Sequence, residues 1–188
     1  MVTMPYVIDQ KDGRGSDLFS RLLQDRIILL TGEIDDDSAA VVVAQLLYLE
    51  AQDREKEVSL YINSPGGSVT AGLAILDTMR HIRCPVATTA VGLAASMGAV
   101  LLAAGENGRR RLLPNAAVMI HQPLGGAQGP TTDVLIRARW MERTKERLLD
   151  LMASFTGQNR EQLAADMERD RFLTAQEAVD YGLADQVL

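Results

Sequence analysis

The sequence predicts an α/β fold: a parallel sheet whose strands are joined by crossover helices. Three observations predict it. Apolar, strand-like runs alternate with stretches of helical periodicity at intervals of roughly 30 residues, the length of a strand plus its returning helix. Aromatic residues make up only 4% of the chain, so the core is built from Val, Leu, Ile, Met and Ala. The 188 residues, 47% apolar and 23% charged, fit one domain spanning 1–188 that can bury its own core.

The elements follow in order along the chain. Arg26–Ile34 reads as a strand, and Asp36–Gln52 as a helix with acids in its first turn, where the helix dipole favours them. Val58–Asn63 is the next strand, ended by Ser64-Pro65-Gly66-Gly67; Val69–Ile82 then has helical spacing in Leu73, Leu76, Met79 and Ile82. Cys84–Gly105 carries no charge and approaches the roughly 20 residues of a membrane span. Pro85, Thr88, Thr89, Gly92 and Ser96 argue against that, and the stretch reads as a buried strand, Val86–Ala95, turning into a buried helix, Ser96–Ala104. Arg111–Leu113 and Ala117–His121 are short strands. A glycine-rich segment, Gln122–Thr132, precedes the longest helical pattern, Asp133–Phe155. At 1.5 Å per residue that helix is about 30 Å or longer, which outruns a domain this small. It either lies along its own domain or packs its spare apolar stripe on a neighbouring subunit. Arg171–Leu173 is extended, and Thr174-Ala175-Gln176-Glu177 matches a capping box opening a short helix, Ala175–Tyr181, stopped by Gly182.

A formal charge of −6 argues against nucleic acid or an anionic membrane as the main partner. Cys84 is the only cysteine, which excludes a disulfide within the chain and agrees with a reducing compartment. The N-terminus lacks a basic segment followed by an apolar one, so no secretory signal is expected and the expected location is cytoplasmic.

Ser96 lies where the strand pattern turns helical, with small Ala94 and Gly98 on either side. This resembles the spacing of a nucleophile elbow, which would expose the hydroxyl and bring the Met97 N–H to a helix N-terminus. A plain helix N-cap is the competing explanation for a serine at that position. Ser64-Pro65-Gly66-Gly67 is either an ordinary turn or a place where bare N–H groups approach a ligand. His121, at a strand end beside the glycine-rich segment, is the best base in the chain, although a structural histidine would also fit; His81 closes a helix next to Arg80 and Arg83. Many acids lie downstream, among them Asp133, Glu142, Asp150, Asp166, Glu168 and Asp170, and spacing alone does not choose among them. Two histidines and one cysteine without ligand-like spacing give no expectation of a metal. The chain has no Walker A motif, so any ATP dependence must come from a partner.

The segments YINSPGGSVTAG (61–72), GLAASMGA (92–99), MIHQPLGG (119–126) and RDRFLTAQEAVDYGLAD (169–185), in that order, resemble the proteolytic subunit of Clp protease (ClpP) over nearly the whole chain. The resemblance implies a crotonase-like α/β spiral in which Ser96 is the nucleophile, His121 the general base and acid, and Asp170 the group orienting the histidine. The oxyanion hole would be the N–H groups of Gly67 and Met97. Substrate peptide would add as a strand between Gly66-Gly67-Ser68-Val69 and Leu124-Gly125. The glycine-rich strand or hairpin and the long helix, about 122–157, resemble the family's handle, and 1–17 its N-terminal axial segment. Two stacked heptameric rings, a hexameric AAA+ unfoldase that uses ATP, and unfolded polypeptide substrates are the implied assembly and partners, with no cofactor held by this chain. Ser59 and Arg111 depart from the family: they stand at docking-cleft positions that are apolar in well-known members, whereas Tyr61, Leu113 and Leu188 are retained. Two other readings compete with a serine endopeptidase. One is a crotonase-type acyl-CoA hydratase or hydrolase, and the other a catalytically silent ring subunit.

Overall fold

The computed structural model describes residues 6–8 and 15–188. The rest of the expected N-terminal segment 1–17 lies outside the described residues. Tyr6–Ile8 (β1) and Gly15–Asp17 (β2) pair antiparallel, and Leu18–Gln24 (α1) follows, capped by the Asp17 carboxylate.

The first two strands of the main sheet alternate buried and outward positions, as a half-covered sheet face requires. Ile27–Thr31 (β3) buries Ile28 and Leu30, and after Asp36–Gln52 (α2), Val58–Ser64 (β4) buries Val58, Leu60, Ile62 and Ser64. Val69–His81 (α3) begins on a Ser68 cap and returns the chain to Val86–Ala95 (β5), whose first five residues are all buried. Met97–Ala103 (α4) is buried along its whole length. The uncharged stretch is thus a core strand and a core helix, and among the described residues no helix is long and apolar enough to cross a membrane.

Arg110–Leu112 (β6) and Ala117–Ile120 (β7) both pair parallel with β5, one on each half of it: Thr88–Ala90 takes β6 and Leu93–Ala95 takes β7. Between the halves β5 bends at Gly92, which has φ +73°, while the ladder to β4 shifts register after Ile62. A side chain on Gly92 would meet the Asn63 carboxamide oxygen 3.0 Å away, and that oxygen accepts the Leu93 N–H at 3.3 Å. The order β3-β4-β5-β6 is completed by the C-terminal Gln186–Val187 (β9), while β7 leads off to Arg171–Thr174 (β8), its antiparallel partner. The expected mainly parallel α/β architecture is therefore present, with two corrections.

Thr131–Thr156 (α5) is 26 residues long, about 39 Å at 1.5 Å per residue. Its buried residues, Leu148, Leu149 and Met152, all lie in its C-terminal half, so Leu135, Ile136 and Trp140 stand exposed on the other half. The glycine-rich segment expected as a strand or hairpin is neither, since residues 121–130 contain no strand. Three glycines weaken a strand and two prolines cannot donate to a ladder. The second correction concerns Arg160–Asp166 (α6), capped by Asn159, which the sequence reading passed over; Ala175–Asp180 (α7) follows β8 on the expected Thr174–Glu177 capping box.

Arg110 ties the far side together. Its buried guanidinium donates to Asp185 Oδ1 at 2.6 Å and to the carbonyls of Phe155 at 2.9 Å and Gly182 at 3.0 Å, closing the ends of α5 and α7 onto β6.

Candidate active site

Ser96 occupies the turn from β5 into α4 with φ 53° and ψ −119°. That backbone region is costly for any residue with a Cβ and is stored where the fold over-determines it. The cause is local. The Ser96 N–H donates to the Met119 carbonyl at 2.8 Å, continuing the β5–β7 ladder, while the next residue must already enter α4. Ser96 stands at the N-cap position, yet its hydroxyl makes no capping bond. It turns instead to His121, with Oγ 2.8 Å from Nε2.

Strand pairing brings the other two groups in. The β5–β7 register sets Ala95 beside Met119, so Ser96 and His121 emerge from neighbouring strand ends. The β7–β8 register sets Ile120 opposite Arg171, which puts His121 across from Asp170. Asp170 Oδ1 is 3.0 Å from His121 Nδ1. A carboxylate only accepts, so Nδ1 carries the imidazole proton and Nε2 presents its lone pair to the Ser96 hydroxyl. Three of the other candidate acids are engaged elsewhere: Asp150 with Arg160, Asp166 with Tyr181 and Arg171, and Glu168 with Lys145. His81 lies in the last turn of α3.

The turn Ser64-Pro65-Gly66-Gly67 lies directly against Ser96. Gly66 has φ +93°, and a Cβ there would sit 2.6 Å from Ser96 Cβ and 2.8 Å from the Ala95 carbonyl. The buried Ser64 hydroxyl accepts the Gly66 N–H at 3.0 Å, the Gly66 carbonyl accepts from Ile34 N–H at 2.8 Å, and Ser68 N–H donates to the Ile34 carbonyl at 2.7 Å. Gly67, with φ +150°, is pressed onto Ile34, whose carbonyl oxygen would lie 2.2 Å from an added Cβ. Among the described residues, neither the Gly67 N–H nor the Met97 N–H at the start of α4 has an acceptor within the chain. Ser68 spends its hydroxyl on the Ala71 N–H at 3.3 Å. Val69 lines both a small apolar pocket beside Ser96, with Met97, Val100, Leu148 and Met152, and a groove of about 720 Å³ between α3 and α5. Leu124 and Trp140 border the groove, and Gly125 packs on the Met141 side chain.

The Clp protease family model matches residues 10–188, nearly the whole chain. The chain belongs to the Clp protease family. A Clp protease chain is a peptidase, a hydrolase engaged in protein degradation. Among the described residues of this Clp protease chain, no group of three or more His, Cys, Asp or Glu could hold a metal ion.

Two parts of the site were missed in the sequence: the Ser64 hydroxyl under the glycine turn and the Met119 carbonyl that pins Ser96. Ser64 carried a faint signal, because it is the one polar residue at an inward position of β4. The close approach of Gly66 has a direct consequence. Gly66→Ala is expected to lower kcat for a fluorogenic peptide by roughly 10²-fold, since the new methyl displaces Ser96 by a good part of an ångström. Steady-state kinetics, with circular dichroism as the control for folding, checks this, and an unchanged kcat refutes it.

Proposed function

We propose that this chain is a serine endopeptidase with Ser96 as nucleophile, His121 as general base and acid, and Asp170 as the group that orients the imidazole. One observation carries the reading: His121 contacts the Ser96 hydroxyl through Nε2 at 2.8 Å and the Asp170 carboxylate through Nδ1 at 3.0 Å. Nε2 takes the hydroxyl proton as Oγ attacks the scissile carbonyl carbon. The N–H groups of Gly67 and Met97 receive the developing oxyanion, a preorganised form of charge stabilisation. The protonated imidazole then returns its proton to the leaving amine. Water then attacks the acyl carbonyl carbon as Nε2 takes one of its protons, and Nε2 returns that proton to Oγ as the bond from Oγ to the acyl carbon breaks, which frees the acid product and restores Ser96.

Unfolded polypeptide is the substrate in this reading, added as a strand between Gly66–Val69 and Leu124-Gly125. Main-chain hydrogen bonds then hold peptides of many sequences, and the apolar pocket beside Ser96 favours apolar side chains. Residues 1–188 act as one domain, with 1–17 at the axis and about 122–157 as the handle of a chamber formed by two stacked heptameric rings. The exposed Leu135, Ile136 and Trp140 on α5 support a subunit contact there. A cytoplasmic hexameric AAA+ unfoldase supplies substrate and spends the ATP.

Treatment with a fluorophosphonate tests the assignment of the nucleophile. Mass spectrometry should find the phosphonyl group on Ser96, and His121→Ala should suppress its formation. Labelling that leaves Ser96 unmodified overturns the reading.

A further inference from the structure

Asp170 lies in the loop between α6 and β8, and its side chain is 61% exposed. Its alignment on the imidazole therefore depends on what holds that loop. We propose that Gln122 and Lys145 form a clamp that positions Asp170, an inference that rests on the serine-endopeptidase reading.

Gln122 directly follows His121 and grips the loop twice. Its backbone N–H donates to the Met167 carbonyl at 2.5 Å, and its Nε2 donates to the Glu168 carbonyl at 3.0 Å. The carboxamide oxygen is left to accept, and Lys145 on α5 fills that role with Nζ at 2.9 Å. The same ammonium reaches the Glu168 carboxylate at 3.4 Å. Lys145 thereby fixes which way the Gln122 amide faces. Turned round, its NH₂ would face an ammonium and its oxygen a carbonyl, four groups with no matching donors and acceptors. The other end of the loop is closed by Arg171 on Asp166, which also accepts the Tyr181 hydroxyl at 2.7 Å. The residue next to the base and the residues before the acid are thus one hydrogen-bonded unit, and a cation from a distant helix completes it. Gln122 and Lys145 are positioning residues, since neither touches the Ser96 hydroxyl.

The test uses the full chain with Lys145→Met, Lys145→Arg, Asp170→Ala and the Lys145→Met/Asp170→Ala pair, reading kcat and KM on a fluorogenic peptide and the rate of fluorophosphonate labelling at Ser96. Lys145→Met keeps the apolar stem at a part-exposed position and should fold as the parent does. It is expected to lower kcat and the labelling rate roughly 10- to 100-fold, through a small misalignment, and to leave KM within about twofold. Lys145→Arg should restore most of the loss. In the Asp170→Ala background, Lys145→Met should slow labelling no further, because groups acting through one another are not additive. An unchanged kcat in Lys145→Met, or an equal loss with and without Asp170, overturns the clamp. If Asp170→Ala alone labels at the parental rate, the triad reading falls and the clamp with it, an outcome distinct from the first two. Gln122→Met, which removes both side-chain contacts, should reproduce Lys145→Met; parental kinetics in that variant also overturn the proposal.

Discussion

Ser96→Ala should reduce kcat for peptide hydrolysis by about 10⁶-fold, the loss seen when an alcohol nucleophile is removed from a cooperating set. A remnant of roughly 10³–10⁴-fold over the uncatalysed rate should survive, because the substitution leaves the proposed oxyanion donors and peptide-binding surfaces untouched. The variant should unfold at the parental temperature. The Ser96 hydroxyl makes no capping bond, so its loss costs α4 nothing, and alanine meets the same steric demands at φ 53° as serine does. Ser68→Ala makes the contrast: that hydroxyl does cap α3, and its removal should cost about 1 kcal/mol of stability. Steady-state kinetics paired with thermal melts separates the two serines, and a Ser96→Ala protein that cleaves at the parental rate removes the nucleophile from the account.

The largest expected effect on stability lies on the other side of the sheet. Asp185→Ala should lower the unfolding free energy by about 3–5 kcal/mol, because it leaves the Arg110 guanidinium buried without its counter-charge. Arg110 has only 8% of its side chain exposed and takes five donors into that region, two of them with carbonyls at the ends of α5 and α7. Burial works to raise the Asp185 carboxyl, but hydrogen bonds from the Arg110 side chain and backbone N–H outweigh it and hold the group below the usual carboxylate range. The sign for pH follows. A depressed folded-state value means that the ionised carboxylate stabilises the fold at every pH above the unfolded value near 3.8. This contribution fades as pH falls below that value and through the folded one. Urea denaturation between pH 7 and pH 3 should therefore show a decline at the acid end that is shallower in Asp185→Ala; parallel curves would count against the pair.

Much of the architecture was legible because single segments encode it. Val86–Ala95 followed by a run of small apolar residues belongs in the interior, and both β5 and α4 appear where that composition puts them, with only residues 91–93 reaching the surface. Capping chemistry fixed the start of α7 in the same way. Three-residue strands and seven-residue helices such as β1, β2, α1 and α6 contain too few positions for a period to show. The site divides along the same line. Ser96 and the glycine turn are local features, whereas spacing alone does not separate Asp170 from the other downstream acids: without the family resemblance, its place beside His121 depends on Ile120 facing Arg171 across an antiparallel pair, a long-range fact.

The bond from the Ser96 N–H to the Met119 carbonyl carries a last consequence. The alcohol and the imidazole are spaced by a rung of a ladder, not by the 24 residues of tether between them. Lengthening the connection around Glu106–Gly108 or Pro114-Asn115 would leave their separation alone, so this part of the chain is open to insertion while the chemistry stays in register.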